Sequence, residues 1–138
     1  MAILIDTSLW IDFSRSRSPQ YLKEFIAPYI LHDEACLAEP IIYEVLRYAT
    51  EDEARMLNRQ FDFFPILPTP PNLWLRGAEL GRLCRKQGIT LGSLDLLIAT
   101  VALHHRAQLV TFDEDFEPLV RFTPMNVLRL NRPKPTTA

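Results

Sequence analysis

Apolar and polar positions fall into blocks along this chain, and the spacing within each block predicts an element. Ala2-Ile3-Leu4-Ile5 runs without a polar break and ends at Asp6-Thr7-Ser8. A short unbroken apolar run closed by a turn signal predicts a strand buried on both faces, as in the centre of a parallel sheet. Thr7 or Ser8 then caps a helix through Leu9, Trp10, Ile11 and Phe13. After the polar loop from Ser14 to Ser18, Pro19 opens a second helix. Its Leu22, Phe25, Ile26 and Tyr29 share one face, and Pro28 predicts an end or a kink nearby. Ala35 to Ala38 predicts a second strand, and Pro40 starts a helix from Ile41 to Tyr48 whose apolar sequence is interrupted by Glu44. Another helix covers roughly Glu51 to Phe61, and Phe63 to Leu67 predicts a third strand stopped by Pro68, Pro70 and Pro71.

The second half continues the alternation. Asn72 caps a helix carrying Leu73, Ala78, Leu80 and Leu83, with Gly88 just past its end. Ser93 caps a helix from Leu94 to about His105, whose core face is Leu94, Leu97, Ile98 and Val101. Asp95 lies in its first turn on another face, with Ala99 and Ala102. Gln108 to Thr111 and Asn126 to Leu130 predict two more strands, with a short helical turn at Pro118-Leu119-Val120 between them. Strands alternating with helices predict an α/β fold, a three-layer α/β/α sandwich around a central parallel sheet. One domain is expected over residues 1–130, followed by a loose tail over 131–138.

Composition narrows the class. At 138 residues and 48% hydrophobic positions, the chain can bury one full core. It has no apolar stretch near membrane-spanning length and no basic, apolar leader, so neither a membrane span nor a signal peptide is expected. Cys36 and Cys84 have no CxxC spacing, which predicts buried, reduced thiols in a cytoplasmic protein. The net charge of −2 conceals an uneven inventory, because 12 of the 15 basic residues are arginine. Arginine's planar fork suits phosphate better than an ammonium does. A net-acidic protein can still bind nucleic acid if its acids gather around a metal and its arginines ring them.

The acids are placed for that. Asp6 closes the first strand, Glu44 sits in the helix after the second, Asp95 opens a helix, and Asp113 follows the strand ending at Thr111. In a parallel sheet, Asp6 and Asp113 share the carboxyl edge, where open α/β sheets bind ligands. Carboxylates brought together repel one another unless a cation is present. Hard oxygen donors select Mg²⁺ or Mn²⁺, which can activate a water and clamp phosphate oxygens for in-line displacement. Thr7, Ser8, Ser93 and Thr111 are candidates for orienting the carboxylates or their waters. Each acid alone has an ordinary reading. Asp6, Asp95, Asp113 and Asp115 suit helix caps, first turns or tight turns, and Glu44 suits a solvated face.

Taken together, the motifs resemble a known family. They are Leu4-Ile5-Asp6-Thr7-Ser8, then Glu44 in a short helix, then Asp95-Leu96-Leu97-Ile98-Ala99-Thr100-Val101-Ala102, then Leu109-Val110-Thr111-Phe112-Asp113-Glu114-Asp115-Phe116. From Ala2 to about Leu130 the chain is similar to the PIN domain, and at this size to the VapC ribonuclease toxins of prokaryotic toxin–antitoxin pairs. The resemblance implies an RNA-cleaving enzyme dependent on Mg²⁺ or Mn²⁺. It implies Asp6, Glu44, Asp95 and Asp113 as the catalytic acids, with Asp115 in a structural or secondary position. It also implies a homodimer and a VapB-like antitoxin partner. On this reading Asp6, Asp95 and Asp113 hold the metal, and Glu44 is a further ligand or orients the attacking water. Arg15 and Arg17 are candidates for contacts with RNA phosphates. The Pro65–Pro71 stretch and the pair His104-His105 depart from the family's pattern; for the histidines, a helix end that favours imidazolium is expected.

Rival classes fit less well. A haloacid-dehalogenase-type phosphatase needs a second Asp two residues after the first, where Ser8 stands. A receiver domain needs a late lysine at a strand end, and Lys23, Lys86 and Lys134 do not follow strands. The remaining alternative is a catalytically silent PIN-like domain that binds RNA or protein, and the presence of all four acids argues against it.

Overall fold

The computed structural model describes residues 1–135. Its sheet has the order β2-β1-β3-β4, built from β1 (Ile3–Ile5), β2 (Ala35–Cys36), β3 (Gln108–Thr111) and β4 (Asn126–Arg129). Every pairing is parallel, so each connection must cross over, and helices fill the crossovers. These are α1 (Thr7–Ser14), α2 (Gln20–Ile30), α3 (Glu39–Arg47), α4 (Glu51–Phe61), α5 (Leu73–Lys86) and α6 (Ser93–His105), with a 3₁₀ helix at Glu114–Arg121. This is the expected α/β sandwich around a parallel sheet.

The central strands read as continuous apolar runs because both of their faces are covered. Leu4, Ile5, Leu109 and Val110 are all at most 1% exposed. Edge strand β4 is mostly exposed and alternates less cleanly. Beside the sheet, Trp10 of α1 is fully buried and meets Phe61 and Phe64 edge-on, with ring centroids 5.1 and 5.2 Å away. Edge-to-face packing of this kind adds to simple burial, and it fastens α1 to the end of α4. Cys36 and Cys84 are buried free thiols, as expected.

Several local expectations are corrected. Phe63–Leu67 forms no strand; it touches the sheet only through a bridge from Ile66 to Leu37. Pro65 and Pro68 lack the N–H groups a longer ladder would need. The cap positions shift by one. Asp6 rather than Thr7 or Ser8 precedes α1, and Gly92 rather than Ser93 precedes α6. Asn72 does precede α5, but in a left-handed conformation (φ 57°) with no side-chain cap bond. Helix α2, by contrast, ends at Ile30, two residues after Pro28, as expected. The clearest cap is Thr50, whose hydroxyl accepts from the Glu53 N–H while the Glu53 carboxylate accepts from the Thr50 N–H.

No helix among the described residues is long and apolar enough to cross a membrane. Of the tail expected over 131–138, residues 136–138 lie outside the described residues. Residues 131–135 carry no helix or strand, and Arg132 among them bonds Asp12 of α1.

Candidate metal centre

The strand order reverses between β1 and β3, which places a crevice at their carboxyl ends. The register pairs Ile5 with Val110, so the next residues, Asp6 and Thr111, face each other across that crevice. The Asp6 N–H donates to the Val110 carbonyl at 2.9 Å, extending the ladder one step and fixing the aspartate. Asp6 is only 3% exposed. Its Oδ2 accepts hydrogen bonds from the Thr111 hydroxyl at 2.7 Å and the Ser8 hydroxyl at 2.9 Å. Each hydroxyl is positioned in turn by a backbone donor. The Phe112 N–H donates to Ser8 at 3.1 Å, and the Asp113 N–H donates to Thr111 at 2.9 Å. Both side-chain donors fall on Oδ2, so neither occupies Oδ1.

The other acids arrive from separate elements. Glu44 comes from the middle of α3, Asp95 from the first turn of α6, and Asp113 from the residue before the 3₁₀ helix. Asp6, Glu44, Asp95 and Asp113 together line one open pocket of about 360 Å³, with Thr7, Ser8, Ile11, Asp12, Arg15, Tyr48 and Arg132. Asp113 accepts a bond from the Asp115 N–H at 2.9 Å, which caps the 3₁₀ helix. Asp113 is thus a helix cap and a member of the pocket lining at once.

Proton affinities record the crowding. Burial raises the pKa of Asp6 against the opposing bonds from Thr111 and Ser8. Asp95 is pushed up to about 7, by burial first and then by the charges of Asp6, Asp113, Glu44 and Asp115. Asp115 is raised chiefly by the charge of Asp113. Without a cation, this cluster holds its negative charge at a cost.

The donor set fits a hard divalent ion. Asp95, Asp113 and Asp115 offer carboxylate oxygens all within 4.8 Å of one another. No histidine or thiol joins that group among the described residues, so all its donors are hard carboxylate oxygens. Thr7 Oγ1, in the same pocket, is buried without a hydrogen-bond partner. An orphaned hydroxyl beside a carboxylate cluster suits a site that recruits further polar ligands.

The remaining candidates divide. Ser8 and Thr111 bond Asp6 directly, whereas Ser93 is exposed and lies outside the pocket lining. Arg15 lines the pocket and Arg17 does not. His104 Nδ1 lies 2.6 Å from an Arg76 nitrogen. Local desolvation and the charge of Arg76 lower its pKa, so imidazolium is disfavoured there, against expectation. The Asp12–Arg132 pair and Tyr48 escaped the sequence reading. Tyr48 falls one turn after Glu44, a spacing that could have revealed it.

Comparison with known proteins agrees with this geometry. The family model described as PIN domain matches residues 3–120. The chain is 34% identical over 127 residues to VapC ribonuclease Mb1587 of Mycobacterium bovis, covering 88% of this chain and 93% of that protein. The same figures hold for Ribonuclease VapC11 of Mycobacterium tuberculosis. Among solved structures, a chain of DNA-bound VapBC from Salmonella typhimurium superposes with a TM-score of 0.73 at 16% identity, covering 94% of this chain and 98% of that one. A chain of VapBC2 from Rickettsia felis, bound to a promoter DNA fragment, gives a TM-score of 0.69 at 15% identity, covering 95% and 100%. At these identities the structural likenesses speak to the fold alone.

Proposed function

Because the chain belongs to the PIN domain family, we propose that it is a metal-dependent endoribonuclease, the toxin of a VapBC-type toxin–antitoxin pair. The observation that carries this reading is the convergence of Asp6, Glu44, Asp95 and Asp113, from four separate elements, on one pocket at the sheet's switch point. The ribonuclease relatives named above support the substrate class.

Asp6, Asp95 and Asp113 hold the ion, and the donor chemistry favours Mg²⁺ or Mn²⁺. When bound, such an ion neutralises the carboxylates, lowers the pKa of a water and stabilises charge on a phosphodiester. Ser8 and Thr111 keep the Asp6 carboxylate in one rotamer through paired bonds to Oδ2. Glu44 serves as a further ligand or aligns the attacking water. Asp115 tightens the cluster from its exposed side, and Thr7, whose buried hydroxyl has no hydrogen-bond partner, lines the pocket with Asp6, Glu44, Asp95 and Asp113. Attack by water rather than by the ribose 2′-hydroxyl leaves a 3′-hydroxyl and a 5′-phosphate.

Two partners follow from the family reading: a VapB-like antitoxin chain and a second copy of this chain. Cytoplasmic action is proposed on the same ground. The silent-scaffold alternative loses support because all four acids line the pocket. The decisive experiment is cleavage of single-stranded RNA in Mg²⁺ by the wild type, by Asp6→Asn, and by the wild type in excess EDTA. Cleavage is expected only in the first. Full activity in Asp6→Asn or in EDTA overturns the mechanism.

A further inference from the structure

Arg132 lies beyond the last strand, in a segment whose composition predicts no structure, yet it is held from two sides. Parallel β4 delivers the chain to the same edge as Asp6. The Leu130 N–H donates to the Thr111 carbonyl at 2.8 Å, carrying the ladder one residue past β4. Two residues later, Arg132 Nε donates to Asp12 Oδ2 at 2.7 Å, and the Asp12 side chain is only 15% exposed. The guanidinium carbon stands 4.7 Å from the centroid of the Phe112 ring. Phe112 is itself buried and stacked on Phe25. A guanidinium over an aromatic face with a fixed carboxylate at Nε has its plane set.

That arrangement spends Nε and leaves the two terminal nitrogens. Among the described residues Arg132 pairs with Asp12 and with none of Asp6, Glu44, Asp95 and Asp113. Its side chain is 54% exposed. It lines the acid pocket and also the adjoining cavity of about 300 Å³ beside Ser8, Asp113 and Glu114. Arg132 is therefore shared by the walls of both spaces. A polyanion approaching clustered carboxylates is repelled except where a cation stands, and besides the ion the pocket lining offers Arg15 and Arg132 for the phosphates flanking the reacting one. A guanidinium fork with its plane already fixed suits a phosphate at little entropic cost.

We propose that Arg132 binds an RNA backbone phosphate next to the bond being cut, with Asp12 and Phe112 as the residues that position it. The proposal rests on the ribonuclease reading for its substrate, and its test is separable from that reading. The Asp6→Asn protein in Mg²⁺ serves as a non-cleaving parent, and its affinity for a fluorescein-labelled single-stranded oligoribonucleotide is measured over a series of salt concentrations.

Adding Arg132→Gln should weaken binding roughly tenfold at low salt, as loss of one charged hydrogen-bonded contact does. It should also flatten the slope of log affinity against log salt by about 0.7, the value for one phosphate contact to a single strand. Arg132→Lys keeps the charge and should restore most of the slope. A merely structural role would lower the melting temperature of Arg132→Gln and leave the slope alone once Asp12→Asn removes the carboxylate that the substitution bares. An unchanged slope in Arg132→Gln overturns the proposal. If the wild type fails to cleave RNA while the slope still flattens, the ribonuclease reading falls and the phosphate contact stands. If the parent binds no RNA at all, both fall.

Discussion

Thr111 donates a hydrogen bond to Asp6 Oδ2 at 2.7 Å across 105 positions of sequence, and the same hydroxyl accepts from the Asp113 N–H. One side chain therefore fixes two of the acids relative to each other. Replacing Thr111 with Val removes the donor and leaves the Asp113 N–H unpaired, at a cost of about 1–3 kcal/mol. The Asp6 carboxylate, deprived of its strongest stabilising bond, should take up protons more readily. The expected result is a lower melting temperature and a higher Mg²⁺ concentration for half-maximal cleavage. Thr111→Ser keeps the hydroxyl and should recover the metal dependence, which a Mg²⁺ titration of activity checks.

Asp95 makes the metal-free protein sensitive to pH. Its pKa rises from the ordinary 3.8 to about 7 in the folded state, by burial and by the four neighbouring carboxylates. Between those values the folded chain binds more protons than the unfolded one, so stability falls as pH rises through that window. The contribution is on the order of 2 kcal/mol after discounting for solvent around this half-buried group. In EDTA, thermal melts should therefore give a lower midpoint at pH 8 than at pH 5. Asp95→Asn should shrink that difference, with the raised Asp6 and Asp115 supplying the remainder, while abolishing cleavage. Metal competes with these protons, so Mn²⁺ affinity measured by calorimetry should rise from pH 6 to pH 8, with proton release. Melts that improve with pH in EDTA would contradict this account.

Asp113 and Asp115 are close neighbours with unequal duties. Asp113 lines the pocket and caps the 3₁₀ helix, whereas Asp115 is exposed and outside the pocket lining. Asp113→Ala should lose both roles, with cleavage abolished and stability down by about 1 kcal/mol, as for a lost cap. Asp115→Ala should retain cleavage at saturating Mg²⁺ and need more metal to reach it, because its oxygen lies within 4.8 Å of those of Asp95 and Asp113. Parallel Mg²⁺ titrations of the two variants decide between these outcomes.

The sheet's centre was legible because β1 and the middle of β3 are buried on both faces, so Ile3-Leu4-Ile5 and Leu109-Val110 read as short apolar runs closed by Asp6 and Thr111. Asp6 and Asp113 were legible because a parallel sheet sends every strand's carboxyl end to one edge, whereas Glu44 and Asp95 lie on helices and joined them through the family resemblance. Phe63–Leu67 misled because its apolar pattern is a strand's, while Pro65 and Pro68 deny it the donors. Ser93 misled because glycine can occupy a cap position as well as serine, and Gly92 does so here. Arg132 was invisible for a different reason. Its partners Asp12 and Phe112 lie far away in sequence, and only the direction of β4 brings it to the site.

The packing of α5 against α6 offers a test remote from the acids. Gly77, rather than the expected Ala78, faces α6: Gly77 is buried and Ala78 exposed. A Cβ built on Gly77 would stand 3.2 Å from Leu97 Cδ2 and 3.8 Å from the Thr100 hydroxyl. One turn on, a Cβ at Gly81 would stand 3.2 Å from Leu96 Cδ1. These leucines immediately follow Asp95, so the closeness of the two helices bears on where that carboxylate sits. Gly77→Ala asks Leu97 to move by a few tenths of an ångström and gains about 1 kcal/mol of helix propensity, so its stability should stay within about 1 kcal/mol of wild type. Gly77→Leu overfills the interface and should cost about 1–3 kcal/mol. Displacing α6 also moves Asp95, so Gly77→Leu should reduce cleavage at fixed Mg²⁺ even below its melting temperature. Glu79→Ala, on the exposed side of α5, should change neither quantity. Thermal melts and cleavage rates of the three variants check the coupling, and normal activity in a destabilised Gly77→Leu would break the link between helix spacing and the acid site.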